Sequence, residues 1–334
     1  MMDQRPGLNP ARLVNLMRAA IERCRLDLSG LVVLTEAASG AYSVTPVLAG
    51  MAGAKRVYAL TRSTRHGSVE EISAQTAELA RLAGVGERVE VITAAEEAII
   101  AQADVVTNSG HLRPIDAAMI GKMKSGAVIP LMYEAWEYRP GDVDLAAAAE
   151  RGIPVVGTNE RHPAVDVFSF LGLMAVKQLL DAGVAAYGSS ILLLCDNPFR
   201  PFIERGLRAG GATVETWPSL YGEAPVSGEK DAILVALHPA DRPVLGAREA
   251  RLIAERWPSA VVAQYWGDID RSALAAVGLQ CWPREAPPAG HMGVLPSAVG
   301  PEPIVRLQAG GLKAAEVAWR GQTDPAAQEF VDVL

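Results

Sequence analysis

Only three cysteines occur in 334 residues, Cys24, Cys195 and Cys281. They are too few and too scattered for a disulfide framework or a zinc cluster. Positive charge is also in the minority, with 31 Lys and Arg against 38 Asp and Glu and a formal net charge of −7. A general nucleic-acid binder needs a basic surface for the phosphates, so that class is excluded. A membrane span needs ~20 clean apolar residues, and the apolar stretch over residues 164–180 is interrupted by Asp166 and Lys177. The start, MMDQRPGLNPAR, lacks an apolar signal core, which makes the cytoplasm the expected compartment. Also missing are a Gly-x-Ser-x-Gly elbow, a Walker loop, His or Cys residues at metal-ligand spacing, low-complexity tracts and short repeats.

What remains is an apolar chain, 50% hydrophobic, long enough for about two domains. Residues 142–183 organise it. A polar-to-apolar helix stops at Arg151-Gly152, and a β-branched run, Ile153-Pro154-Val155-Val156, leads into a loop. An apolar helix over residues 164–180 follows. Val165, Phe168, Leu171, Leu173, Met174, Val176, Leu179 and Leu180 wrap most of it in apolar side chains, the mark of a helix buried on several sides.

Before this stretch, strand and helix patterns alternate. Asn9-Pro10 opens a first helix. Strands are expected over residues 31–34, 56–60, 89–93, 104–107 and 127–131, with helices between them. After it, strands are expected over 190–194, 213–217, 232–236 and 260–263, with a turn-rich loop over 218–229 and a last apolar helix over 303–320. The fold class is α/β, two Rossmann-like doubly wound parallel sheets joined by long buried linking helices. The expected division is a first domain over 1–162 with its N-terminal helix, a linking helix over 163–187, a second domain over 188–300, and a crossover helix and tail over 301–334. Ligands of such sheets sit outside the carboxyl ends of the strands, which here points to an interdomain cleft.

From Val143 onward the order of segments resembles the D-isomer-specific 2-hydroxyacid dehydrogenases. DLAAAAERGIPVVGT and the apolar helix, then GSSILLLCDNPFRPFIERGLRAGGATVETW, DAILVALH, VVAQYW and AGHMG, follow in that family's order over about the last 190 residues. The resemblance implies NAD(P)-linked oxidoreduction of a small hydroxy- or oxo-acid by a homodimer. It makes His291, before Gly293, the counterpart of the family's proton-moving histidine, and Glu285 its carboxylate partner. Two parts of the family's pattern are missing. Cys195, Asn197 and Arg200 stand where the family has G-x-G-x-x-G, and Tyr265-Trp266 where it has a catalytic arginine. Those glycines let a backbone approach a pyrophosphate, so their loss counts against dinucleotide binding in the second domain.

The first domain offers another cofactor site. Ser39, Gly40, Ala41 and Tyr42 form a small-residue loop after the first strand. Arg62, Ser63 and Arg65 follow the second strand, where an NAD-specific domain carries an acid for the ribose hydroxyls. Arginine there suits the 2′-phosphate of NADP. Asn108, Ser109 and Gly110 form a turn of the kind that borders such a cofactor. Glu36 through Gly40 also resembles the E-x-x-x-G loop of class I methyltransferases, which makes S-adenosylmethionine the alternative ligand, although those enzymes put an acid where Thr61 stands. A third reading, a binding protein that kept the fold without a redox cofactor, is favoured by the missing glycines and arginine. His111, Glu134, His162 and Arg200 lie on loops or strand ends and are candidate substrate contacts.

Overall fold

In the computed structural model, which describes residues 5–221 and 228–334, the residues up to Val167 and from Gly300 onward pack as one compact unit and Phe168–Val299 as another. Residues 222–227 of the loop expected over 218–229 lie outside the described residues. Among the described residues no helix is long and apolar enough to cross a membrane.

The first unit opens with α1 (Pro10–Cys24). Its start is set by Asn9, whose side-chain oxygen accepts from the N–H groups of Ala11 and Arg12. Strands and helices then alternate: β1 (Val32–Glu36), α2 (Val44–Met51), β2 (Arg56–Leu60), α3 (Val69–Leu82), β3 (Val89–Ile92), α4 (Glu97–Ile100), β4 (Val105–Val106), α5 (Ala117–Lys122), β5 (Ile129–Pro130), α6 (Leu145–Glu150) and β6 (Val155–Thr158). Strands β3, β2, β1 and β4 lie side by side in parallel. A parallel bridge between Val105 and Val128, with N–H···O bonds from Val106 to Val128 and from Asn108 to Pro130, carries the pairing on to β5, which pairs in parallel with β6. The order is therefore 3-2-1-4-5-6, that of a dinucleotide-binding sheet. An antiparallel strand, Val331–Asp332, covers the β6 edge. Central β1 reads Val32-Val33-Leu34 because helices cover both its faces, which leaves no solvent side for polar residues to alternate onto.

The second unit begins with a 3-10 turn, Phe168–Phe170, and α7 (Leu171–Asp181). The helix starts at Leu171 rather than at residue 164. His162 O takes the N–H groups of both Val165 and Asp166, and Asp166 sits at φ +49, a left-handed conformation that no right-handed helix can pass through. Leu171, Met174, Ala175 and Leu179 are buried while Leu173 and Leu180 are exposed, so burial runs along one side of the helix. Next come β7 (Ser190–Cys195), α8 (Arg200–Ala209), β8 (Thr213–Trp217), β9 (Ala232–Ala236), α9 (Ala247–Arg256), β10 (Val261–Trp266), α10 (Arg271–Ala276) and β11 (Cys281–Trp282). This sheet is parallel throughout, in the order β11-β10-β9-β7-β8. Counted within the unit that is 2-1-3-4-5, the flavodoxin-like order. Both units are doubly wound, as expected, but only the first has the strand order of a dinucleotide-binding domain. The chain returns to that unit through α11 (Glu302–Trp319), where Gln308 Oε1 accepts from Thr45 Oγ1 at 3.0 Å.

Helices α7 and α8 cross backbone to backbone at Gly172 and Gly206. A Cβ on Gly206 would stand 2.3 Å from Gly172 Cα, and one on Gly172 would stand 2.6 Å from Gly206 Cα. Neither backbone can yield without separating the helices. Gly206→Ala should therefore destabilise the protein by about 1–3 kcal/mol, as measured by denaturant unfolding. An unchanged midpoint would show that the helices do not meet this closely.

Candidate functional site

In the first unit β1 and β4 are neighbours, while the chain leaves them toward opposite sides of the sheet. A crevice opens at the carboxyl ends of such a strand pair. The loop after β1 passes from extended Ser39 (φ −91, ψ 166) into Gly40 at φ +63 and a 3-10 turn, Gly40–Ser43, that runs into α2. Glycine is required at position 40 for that φ. A Cβ there would meet nothing within 4 Å, so the space beside the turn is open. Ser43 Oγ closes the turn by donating to Gly40 O at 2.9 Å, and no side chain caps the turn's amino end. Uncapped N–H groups at such a place suit an anion.

Across the crevice, Thr107 Oγ1 donates to Thr35 Oγ1 at 2.8 Å and lies 2.7 Å from Ser109 Oγ, tying β4 to β1. Asn108 is used structurally. Its amide donates to Leu131 O and Tyr133 Oη, and its Oδ1 accepts from Arg113 Nε at 2.9 Å. Gly110 makes room for Glu36, because a Cβ at position 110 would lie 1.7 Å from Glu36 Oε2. That oxygen accepts from the His111 N–H at 3.2 Å. Burial pushes the Glu36 carboxyl above the usual range, against the opposing pull of that N–H and the charge of Arg113. Glu36 was visible in the sequence only as the first letter of a loop motif. Its pairing with Gly110, 74 positions away, needs the fold.

Beyond the end of β2 lies a cavity of about 320 Å³ lined by Leu60, Arg62, His111, Arg113, Asp116 and Lys122, among others. Three formal cations face one acid. Burial, and then the charge of Arg62, lower the His111 pKa. The three residues expected to act together after β2 separate here. Arg62 reaches the cavity, Ser63 Oγ accepts from the Val69 N–H at 3.2 Å, and Arg65 Nε donates to the ring of His66.

In the second unit the turn after β7 is filled by side chains. Asn197 Nδ2 donates to Ala236 O at 2.6 Å, its Oδ1 accepts from Phe199 N at 3.1 Å, and Asp196 Oδ1 accepts from His238 N at 2.9 Å. Cys195 is buried, which pushes its thiol up to about 11. Arg200 is exposed and spends its guanidinium on Glu204 at 2.8 Å. A pyrophosphate does not fit this turn. Farther along, His291 Nδ1 lies 3.0 Å from Ala289 O, and the Gly290 N–H donates to the Asp268 carboxylate at 3.1 and 3.2 Å. Glu285 is exposed and, among the described residues, makes no hydrogen bond or ion pair with His291. The structure does not bring those two side chains together.

At the carboxyl ends of β5 and β6 stands a carboxylate group centred on Glu134, which is fully buried. Its Oε1 accepts from the Glu160 N–H at 3.1 Å and from Arg161 Nε at 3.0 Å, and its Oε2 from the Trp136 indole. His162, two residues on, is engaged in the fold. Its Nδ1 accepts from the Ala164 N–H at 3.1 Å and its ring stacks on Phe330 at 3.8 Å. His111 lies with the cavity beyond β2 rather than with Glu134. Glu137, which with Glu134 brackets Trp136 in the sequence, and Glu160, which the sequence did not single out for chemistry, belong with Glu134. Burial raises the pKa of both, the charge of Glu134 raises both further, and Glu137 adds to the shift of Glu160.

No protein-family model matches the chain, and no curated protein matches it. Solved structures do. A dipicolinate synthase chain from Bacillus subtilis is 12% identical, with 90% of this chain and 100% of that one covered at a TM-score of 0.56. The dipicolinate synthase chain from Bacillus halodurans is 11% identical, with coverage of 87% and 99% at 0.55. NAD-dependent formate dehydrogenase from Staphylococcus aureus, in complex with NAD, is 14% identical, with coverage of 84% and 99% at 0.45. At 12% and 11% identity, the likeness to the two dipicolinate synthase chains is one of fold.

Proposed function

We propose that the first unit holds a nicotinamide dinucleotide at the crevice between β1 and β4, with NADPH preferred, and that the protein is an oxidoreductase acting on a small hydroxy- or oxo-acid, as a homodimer in the cytoplasm. The observation that carries this reading is the convergence of three strand ends in a 3-2-1-4 sheet. The open turn at Gly40, the Gly110 loop and the cationic cavity at Arg62 come together there. Apart from Glu36, whose carboxyl lies against Gly110, the residues present fit the group. Uncapped N–H groups at residues 40–41 suit the pyrophosphate, and Arg62 with Lys122 suits a 2′-phosphate. The bound nicotinamide would supply hydride transfer. His291 would hold and return the proton of the substrate oxygen.

One observation favours a second reading, S-adenosylmethionine in the same crevice. The Glu36 carboxylate stands where a pyrophosphate would approach, and it suits a sulfonium better than a polyanion. Calorimetric titration with NADPH, NADH and S-adenosylmethionine separates the two. The dinucleotide reading expects NADPH to bind more tightly than NADH, and Arg62→Ala to weaken NADPH by about tenfold or more while leaving NADH unchanged. Equal binding of both nicotinamides, indifferent to that substitution, would sink the 2′-phosphate argument. Glu36→Gln should strengthen dinucleotide binding and weaken S-adenosylmethionine, so the sign of its effect identifies the ligand.

A further inference from the structure

The cavity beyond the end of β2 holds donors that the fold leaves unmatched. Arg113 is engaged, since its Nε donates to Asn108 Oδ1 at 2.9 Å, its Nη2 to Asn108 O at 2.7 Å, and Asp142 lies 3.5 Å away. Asp116, the acid among the lining residues, caps α5, its Oδ1 accepting from the Met119 N–H at 2.8 Å. Lys122 comes within only 3.8 Å of Glu97, and both of those side chains are exposed. Arg62 and His111 differ from these. Among the described residues the Arg62 guanidinium has no hydrogen bond or ion pair. His111 bonds through its backbone N–H, to Glu36 Oε2 at 3.2 Å, and not through its ring. Two side chains able to donate thus line one cavity without an acceptor for either, an arrangement that suits an anion.

We propose that His111 is a specificity-determining donor for the 2′-phosphate of NADPH, and that its ring takes a proton from solvent when the phosphate enters the cavity beside Arg62. This deepens the dinucleotide reading and rests on it. The charged groups around the imidazole are Arg113 two residues on, Glu36 at the end of β1, Arg62 after β2, and Asp116 and Lys122 at the two ends of α5. Burial, and then the charge of Arg62, lower the proton affinity of the ring, which is therefore neutral at pH 7 without an anion beside it. A phosphate dianion reverses the local field, favours the imidazolium and gives its N–H an acceptor. The ribose hydroxyl that NADH carries at that position is neutral and does not favour the charged ring. Between the pKa of the free protein and the higher one of the complex, the complex holds the extra proton. Affinity for NADPH must then fall as pH rises through that window. Glu36 does not blur the comparison, because both dinucleotides bring the same pyrophosphate toward it.

Calorimetric titration with NADPH and NADH from roughly pH 7 to 8.5, in two buffers of different ionisation heat, measures the coupling. The 2′-phosphate, with a second pKa of about 6, is already a dianion over that range and adds no proton change of its own. Expected are proton uptake with NADPH in excess of that with NADH, and a fall in NADPH affinity of up to about tenfold per pH unit that NADH does not share. His111→Gln keeps a neutral N–H donor but cannot take up the proton, so the excess uptake and the steeper slope should both vanish. An excess that survives this substitution would assign the proton to another group and overturn the role of His111. The comparison of the two nicotinamides uses the unaltered protein, so it decides the matter even where the variant does not fold. Binding of both with the same proton uptake removes the role of His111 alone. Binding of neither removes the dinucleotide reading, and the role of His111 with it.

Discussion

Glu137→Gln is expected to make the protein more stable at pH 8 and to leave it unchanged near pH 4.5. Burial comes first among the causes that raise this carboxyl, the charge of Glu134 second, and Asp332 adds to it while Arg139 opposes. Glu160 faces it from the turn after β6. A carboxyl pushed from 4.5 to about 8 keeps, in the native state, a proton that the unfolded chain gives up. The unfolded state therefore binds fewer protons than the native state between those two values, and stability falls as pH rises through that window. Glutamine reproduces the protonated group and removes the dependence. The gain at pH 8 should be on the order of 3 kcal/mol, below the full product of the shift and 1.36 kcal/mol per unit because Glu160 titrates with it. Denaturant unfolding of both proteins across the window provides the measurement. Parallel stability curves would mean that Glu137 is charged in the native state, and the account of the acidic group would fail with it.

The parts of the fold that could be read from the sequence are those governed by local chemistry. Val32-Val33-Leu34 is a buried strand because no polar residue interrupts it. α1 begins where Asn9 and Pro10 say it should, and α11 occupies Glu302–Trp319 against an expected 303–320. The start of α7 was missed because nothing in the composition of residues 164–170 reveals that Asp166 takes a left-handed φ. The strand order of the second sheet is not legible in the sequence for a different reason. The βαβ pattern is the same for 3-2-1-4 and 2-1-3-4-5 sheets, and only the side on which each crossover passes separates them.

The candidate sites divide in the same way. Ser39 to Tyr42, Arg62 and Asn108 to Gly110 were recognisable because each follows a strand, and strand ends on one edge of a parallel sheet converge. Asn108 shows the limit of that reasoning, since its amide is taken up by Leu131, Tyr133 and Arg113. Glu36 against Gly110, and Glu137 with Glu160, depend on contacts between loops that are distant in sequence. Single acids at positions 137 and 160 look like solvated surface charges until the fold buries them.

His291→Gln carries the largest expected effect on turnover. The carbonyl of Ala289, 3.0 Å from His291 Nδ1, can only accept a hydrogen bond. In the neutral ring the proton is therefore on Nδ1, which leaves the Nε2 lone pair available to take a proton. The turn that carries the ring is held on both sides. The Gly290 N–H is bound by Asp268, Gly290 O accepts from the Trp266 indole at 3.1 Å, and the His291 N–H donates to Pro288 O at 2.9 Å. None of these bonds uses the imidazole, so glutamine, similar in size and unable to act as a base, should leave the turn standing. Against a panel of small 2-oxo acids with NADPH, the substitution should lower kcat by ~10²–10⁴ while the affinity for NADPH and the unfolding midpoint stay close to those of the unaltered protein. Glu285→Gln should do much less, because no bond joins that exposed side chain to the ring. Loss of folding on substitution would make the histidine structural. Turnover that survives with folding intact would remove the proton-transfer step, and with it the hydroxyacid-type mechanism, while leaving the 3-2-1-4-5-6 sheet and its crevice as they are.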